Sequence, residues 1–369
     1  MKITCQKSNL SNGINIALKA VSSKTTMPIL ECIVIEVTDV IRLIANDMEL
    51  GIKTIVKGNI EKKGTIAINA KIFADIIRKL PDNEVFIETD DKFTMHITCE
   101  KAKFVISGKS SEEFPAIPQI EKTSALELSQ FTLKEIIRQT VFSISDNENN
   151  KIMTGELFEI SENTLRVVSL DGSRISIRKV ALEKVFPATK VIVPGKTLNE
   201  VSKILSGEVD EKIQLYFTDK HILFEFNDTL VLSRLIDGEY YRINQMLSGD
   251  YNTRFTVNKR ELQDCIDRAT LLLKESEKMP IIIGVKDSVI ELQMNTKIGS
   301  MDETIDIVKE GSDILIGFNP KFLLDALRVI DDEEVTLYMT NAKAPCFIKD
   351  KKESYIYLIL PVNFNVAAR

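Results

Sequence analysis

Two stretches have the residue types of a phosphate-binding loop. Val193-Pro194-Gly195-Lys196-Thr197 follows an apolar run and opens a helical pattern, and Gly108-Lys109-Ser110 repeats the glycine-lysine-hydroxyl order. Such a loop cradles phosphates with successive backbone N–H groups and needs another glycine five residues before the glycine-lysine pair. Lys190 and Lys103 stand at those places, so the sequence argues against nucleotide hydrolysis. Asp146-Asn147-Glu148-Asn149-Asn150 starts like a calcium loop, but Lys151 replaces the glycine that the sharp turn requires. Asp331-Asp332-Glu333-Glu334 falls in a turn after a helix and reads as a hydrated acidic surface. His96 and His221 sit in strand patterns without a neighbouring nucleophile, a structural rather than catalytic setting. Cys5, Cys32, Cys99, Cys265 and Cys346 are odd in number and form no Cys-x-x-Cys pair, which argues against zinc, redox and disulfide chemistry. The expectation is a protein without catalysis, metal or cofactor.

One arrangement does recur. Lys71, Lys196 and Lys321 are spaced 125 residues apart, each with an acid four residues on (Asp75, Glu200, Asp325) and a base seven on (Arg78, Lys203, Arg328). On a helix these positions share one face. That face is either solvated and self-paired, or it offers lysines to a regular polyanion whose backbone is gripped without reading bases. Lys7, Lys19, Lys24, Lys134 and Arg138 extend the set, and few aromatics accompany it, which disfavours a base-stacking platform.

The elements that position these lysines repeat as well. Ile66–Asn69, Val191–Val193 and Ile314–Phe318 are short apolar strands, each running into a helix that starts near 70, 195 or 320. Asn319-Pro320 supplies an N-cap and a proline at the first helical position. Earlier helices are expected near 8, 131 and 258, with three or four alternating strands between the two helices of each repeat, such as Leu157–Ile160 and Thr164–Val168. The pattern is a threefold α+β repeat of helix pairs on antiparallel sheet, with boundaries at 1–121, 122–248 and 249–369.

The chain of 369 residues is 44% apolar and 28% charged, ordinary for a globular protein. No apolar run approaches the about 20 residues of a spanning helix, and Met1–Cys5 shows no export signal. A cytoplasmic protein is expected. Its net charge of −6 argues against nucleic acid, yet the six helical segments together carry +8, leaving −14 elsewhere. Opposite potentials on different faces follow from that distribution.

Seven motifs, in order, then identify a resemblance over essentially the whole length. They are Met27-Pro28-Ile29-Leu30, Asn46-Asp47-Met48-Glu49, Val168-Ser169-Leu170-Asp171-Gly172-Ser173-Arg174, Val191-Ile192-Val193-Pro194, Leu235-Ile236-Asp237-Gly238, Ile316-Gly317-Phe318-Asn319 and Tyr357-Leu358-Ile359-Leu360-Pro361. The chain resembles the beta subunits of bacterial DNA polymerase III, the sliding clamps. The resemblance implies three clamp domains per chain and a head-to-tail homodimer closed into a ring. Helices would line the hole around non-specifically held duplex DNA, with no enzymatic activity of the subunit's own. Partners would be the polymerase catalytic subunit, the clamp loader and other proteins with a clamp-binding peptide.

Carried over by position, DNA contact falls to Lys24, Lys71, Arg78, Lys134, Arg138, Asn147, Lys196 and Lys203. The dimer interface would join Phe104 and Ile106 to Leu271 and Leu272. A peptide pocket between the second and third domains would use Met153, Thr154, Leu170, Gly172, Ser173, Arg174 and Ile175 on one side. Tyr241, Gln245, Met246, Asn319, Phe322, Leu358, Leu360, Pro361 and Val362 would complete it, with Arg174 meeting a carbonyl or carboxylate at the rim. Three features depart from the family: Tyr241 where a proline is usual, Gln245 where an arginine is common, and a tail running on through residues 363–369. The competing reading is a pseudo-symmetric peptide-binding scaffold without DNA.

Overall fold

The computed structural model describes residues 1–22, 24–247, 251–274, 279–350 and 352–364. The expected boundary at 248 and tail residues 365–369 lie outside the described residues. The chain forms two compact units, residues 1–132 with 200–235 and residues 133–199 with 236–369.

Six α-helices start within a residue or two of the expected places: α1 (Lys7–Ala17), α2 (Ala70–Lys79), α3 (Gln130–Thr140), α4 (Gly195–Ile204), α5 (Lys259–Thr270) and α6 (Pro320–Val329). Side-chain caps set the starts of α2, α3, α5 and α6, whereas Gln6 before α1 makes no such bond. Asn69 accepts from the Ile72 N–H at 3.0 Å, Ser129 from Thr132 at 3.0 Å, Asn258 from Glu261 at 3.1 Å and Asn319 from Lys321 at 3.0 Å. Each such cap contributes about 1 kcal/mol.

In the first unit α1 and α2 pack together. Leu10, Ile14 and Ala17 of α1 and Phe73, Ala74 and Ile77 of α2 are buried, which leaves Lys71, Asp75 and Arg78 on the outer face of α2. Full burial of Phe73 or Ile77 contributes about 2 kcal/mol. A five-stranded antiparallel sheet runs Asn59–Lys62, Lys2–Gln6, Glu84–Thr89, Thr94–Cys99, Ala102–Ser107. An eight-stranded sheet joins distant parts of the chain, because Thr229–Arg234 pairs with Leu50–Val56 from Thr229 opposite Thr54 to Ser233 opposite Leu50.

In the second unit α5 and α6 pack over a core that includes Phe255, Leu262, Ile266, Phe318, Leu323, Leu327 and Tyr357. The nine-stranded sheet has its own long-range junction, Arg174–Ala181 paired with Tyr355–Ile359, from Arg174 opposite Ile359 to Arg178 opposite Tyr355. A four-stranded sheet ends on Gly299–Asp306.

Among the described residues four strands lie between α3 and α4, as expected, and five lie between α1 and α2 and between α5 and α6, one more than the expected three or four. The surplus is two four-residue strands, Asn59–Lys62 and Val308–Gly311, which turn away to pair with Lys2–Gln6 and Thr253–Asn258. Both are largely exposed, so no apolar alternation announces them.

Candidate functional site

The residues expected to form the peptide pocket all fall in the second unit, around one turn. Strand Thr164–Leu170 ends at Asp171, whose Oδ1 accepts the N–H groups of Ser173 at 2.9 Å and Arg174 at 3.1 Å. Gly172 between them has φ +89°, a left-handed conformation that any side chain would strain, and a Cβ there would meet nothing within 4 Å. The turn therefore leaves an open floor.

Arg174 does not stand at the rim. It is 7% exposed, and its guanidinium donates to Asp171 Oδ2 at 2.9 Å, Asp325 Oδ2 at 2.6 Å and the Phe142 carbonyl at 2.5 Å. It also stacks 4.2 Å from the Phe322 ring centre. Burial opposes its charge, but the hydrogen bond to Asp325 and the nearby carboxylates outweigh that and raise its pKa. Its role is to hold the turn, Phe322 and α6 together rather than to reach a partner. Asp325, read from spacing as the companion of Lys321, is thus committed elsewhere, and no spacing within α6 signals this.

The apolar wall comes from the last strand. Tyr355, Tyr357 and Ile359 face the helices, while Ile356 and Leu358 turn to the other face and cluster with Tyr240 and Ile243 of the segment that follows Thr229–Arg234. That clustering explains the poor alternation in Tyr355–Ile359. The strand stops before Leu360, whose N–H donates to the Ser173 carbonyl at 2.8 Å. Leu360 and Pro361 are half-buried and Val362 is 38% exposed, so these residues are not merely core. Val362 N–H donates to the Gly317 carbonyl at 2.8 Å, and Phe364 lies against Gly317.

Of the other pocket residues, Leu170, Ile175 and Leu358 are buried, and Met153, Thr154, Asn319 and Phe322 are half-buried. Ser173, Tyr241, Gln245 and Met246 are exposed. Tyr241, one of the family departures, is fixed by a 2.7 Å hydrogen bond from Asn150 Nδ2 to its hydroxyl.

The basic helix faces are partly self-paired. Arg78 bonds Asp75 at 3.0 Å, Lys203 bonds Glu200 at 2.7 Å, and Arg138 bonds both Glu135 and Asp331. In α6 the pattern breaks: Asp325 serves Arg174, and Arg328 turns to Asp267 at 3.5 Å. Lys24, Lys71, Asn147 and Lys196 are exposed, and Lys134 is half-buried. Lys24, Lys71, Arg78 and Lys203 belong to the first unit; Lys134, Arg138, Asn147 and Lys196 belong to the second.

Phe104 (39% exposed) and Ile106 lie on Ala102–Ser107, the edge strand of the five-stranded sheet, with Val105 between them 62% exposed. Leu271 is 78% exposed after α5, whereas Leu272 packs partly on the core of its own unit.

The tempting nucleotide motif has a packing origin. A Cβ on Gly195 would come within 2.2 Å of Ile144 Cδ1, so the glycine admits a side chain rather than a phosphate. The five cysteines are buried thiols, and burial pushes Cys5 up to about 11 and Cys346 up to about 12. Among the described residues no three potential metal ligands cluster, and no helix is long and apolar enough to cross a membrane.

Comparison with known proteins gives the class. Sequence profiles of the DNA polymerase III beta subunit match residues 1–118 (N-terminal domain), 127–241 (central domain) and 244–363 (C-terminal domain). The fold is the three-domain clamp fold of helices and antiparallel sheets. Beta sliding clamps from Staphylococcus aureus and Bacillus subtilis are 33% and 34% identical, each over 98% of this chain and 99% of the relative. A DNA polymerase III beta subunit structure from Eubacterium rectale is 62% identical with a TM-score of 0.95, covering 99% of this chain and all of that one. The Bacillus subtilis sliding clamp structure gives 34% and 0.94 over the same shares. The chain belongs to the DNA polymerase III beta subunit family, the beta sliding clamps. It is a DNA sliding clamp, the non-catalytic processivity subunit of the polymerase.

Proposed function

We propose that two copies of this chain close head to tail into a ring around duplex DNA in the cytoplasm, with domains spanning 1–121, 122–248 and 249–369. The observation that carries the reading is the open edge at Ala102–Ser107 with its exposed Phe104 and Val105. A bare apolar edge strand invites uncontrolled pairing, and closure against a partner's Leu271 removes it. Lys24, Lys71, Arg78, Lys134, Arg138, Asn147, Lys196 and Lys203 then touch the DNA backbone. Because Arg78, Arg138 and Lys203 already share carboxylates, each grip is weak, which suits a ring that slides. The pocket around Gly172, Met246, Leu360 and Val362 takes apolar anchors of a peptide from the polymerase catalytic subunit, the clamp loader or another partner.

Native mass in solution and retention on DNA test this together. The expected result is twice the chain mass of 41.6 kDa, and salt-resistant retention on nicked circular DNA that is lost on linearisation. Leu271→Ala with Phe104→Ala, sparing the partly internal Leu272, should give monomers that neither form retains. A wild-type monomer, or equal retention on both DNA forms, would exclude the ring.

A further inference from the structure

One face of the nine-stranded sheet turns away from the core under α5 and α6. On Thr253–Asn258, Glu334–Met339 and Cys346–Lys349, residues Phe255, Leu337 and Ile348 point into the helical core. The alternate positions Arg254, Tyr338, Phe347 and Lys349 turn the other way, and with Tyr251 and Glu353 they line a cleft of about 280 Å³. Its floor is aromatic and its charge is held above the rings. Tyr251 and Tyr338 meet edge to face at 5.1 Å. Lys349 Nζ lies 5.8 Å from the Tyr338 ring centre and 5.5 Å from that of Phe347, and Arg254 lies 5.7 Å from that of Tyr251.

Both bases already have acidic partners, but the acids are the looser members. Glu353 is 61% exposed against 24% for Lys349, and Glu310 is 62% exposed against 37% for Arg254. Pairs of this kind are worth about 0–1 kcal/mol, so another carboxylate can take the place of either acid. The lining itself carries two bases and one acid in a chain of net −6.

The cleft is continuous with the pocket. Phe347 is the register partner of Leu358, which pairs in turn with Ile175, and the three share one apolar cluster. Met246 of the pocket is followed directly by Leu247 at the cleft. We propose that this cleft is an extension subsite, binding acidic residues that flank the apolar anchors of a partner peptide. The proposal rests on the pocket reading above. A single-stranded nucleic acid would need several open rings to stack on, and here Tyr251 is 46% exposed while Phe347 is 8% exposed.

The test uses the full chain and a fluorescein-labelled, polymerase-derived peptide carrying the apolar anchors. The same peptide is also made with three aspartates added at either end. The extension at one end should tighten binding about fivefold, the upper range of a surface charge pair, and the extension at the other end should not. Lys349→Gln with Arg254→Gln should erase that gain and leave the unextended peptide unaffected, and Lys349→Glu should transfer the gain to a lysine extension. No gain from either end, equal gain from both, or a gain that survives the double substitution overturns the subsite while leaving the pocket standing. Failure of the unextended peptide to bind, or equal binding to Leu360→Ala, overturns the pocket reading and the subsite with it. Binding of an oligothymidylate that the double substitution removes, without any gain from the aspartates, assigns the cleft to nucleic acid and also overturns the proposal.

Discussion

The turn at Asp171 has a twin in the first unit, and the two backbones make the same hydrogen bonds. Asp47 Oδ1 accepts from Glu49 and Leu50 as Asp171 Oδ1 accepts from Ser173 and Arg174. Arg234 N–H donates to Glu49 at 2.9 Å as Leu360 N–H donates to Ser173 at 2.8 Å. What sits on those backbones differs. Met48, at φ +76°, stands where Gly172 stands; buried Leu50 matches Arg174; exposed Arg234 matches Leu360. The first unit's cleft is only about 110 Å³ and is lined by Ile117, His221 and Arg234. Burial, then the nearby Arg234 and Lys220, hold the His221 pKa below its usual value. A duplicated backbone thus carries a bare apex and a leucine at one site, and a methionine and an arginine beside a small cleft at the other.

The largest expected effect comes from the Leu50/Arg174 difference. Arg174→Ala strands Asp171 and Asp325, only 14% and 16% exposed, and should cost about 3–5 kcal/mol of stability in urea unfolding. Leu50→Ala removes packing alone and should cost about 2–3 kcal/mol. Equal losses would mean that the guanidinium network adds nothing beyond volume.

A second matched pair separates the units by pH. Ile33 and Glu156 occupy equivalent strand positions, opposite Ile68 and Val193, and both are fully buried. Burial pushes the Glu156 carboxyl up to about 8. Thr140 Oγ1 lies 2.9 Å from Glu156 Oε2 and 2.7 Å from the Ile136 carbonyl. With one hydroxyl proton to give, the neutral acid donating to Thr140 satisfies the chain. The folded state then holds a proton that the unfolded chain releases above its ordinary carboxyl pKa. Stability falls as pH rises from about 4.5 to about 8, by about 1.4 kcal/mol per unit, and is level beyond. Glu156→Gln should flatten that slope, with its advantage growing toward pH 8. Parallel pH–stability curves for wild type and variant would show that Glu156 is charged in the fold.

Next is the wall. Leu360→Ala should weaken a polymerase-derived peptide by about 2 kcal/mol or more in fluorescence anisotropy, and Arg234→Ala in the twin should leave it unchanged. The smallest effect is at the apex. Met48→Gly relieves a left-handed side-chain position and should raise stability by about 1 kcal/mol, whereas Gly172→Ala should lower it by a similar amount. A gain in thermal midpoint from Gly172→Ala would refute the strain argument.

The helices were legible because their signals are local. Asn69, Asn258 and Asn319 cap what spacing and apolar periodicity already predicted, and the lysine repeat follows from them. The two short strands Asn59–Lys62 and Val308–Gly311 carry no apolar pattern and were missed. So was the burial of Arg174, since its partners Phe142 and Asp325 lie 32 and 151 residues away. The pocket residues came from family resemblance, and their exposure came only from the fold: Tyr357 and Leu358 are both apolar in sequence, but they face opposite sides of one sheet. The aromatic cleft left no sequence signal because its members come from four separate segments.

The junction between Arg174–Ala181 and Tyr355–Ile359 also bears on how the chain is made. During synthesis the strand Arg174–Ala181 leaves the ribosome well over a hundred residues before its neighbour exists. Until then its outer edge and the apolar surface of Ile175 and Ile177 are open to any passing strand. Folding of the second unit therefore waits on Tyr355–Ile359, and a chain halted before residue 355 is a ready substrate for chaperones or for aggregation.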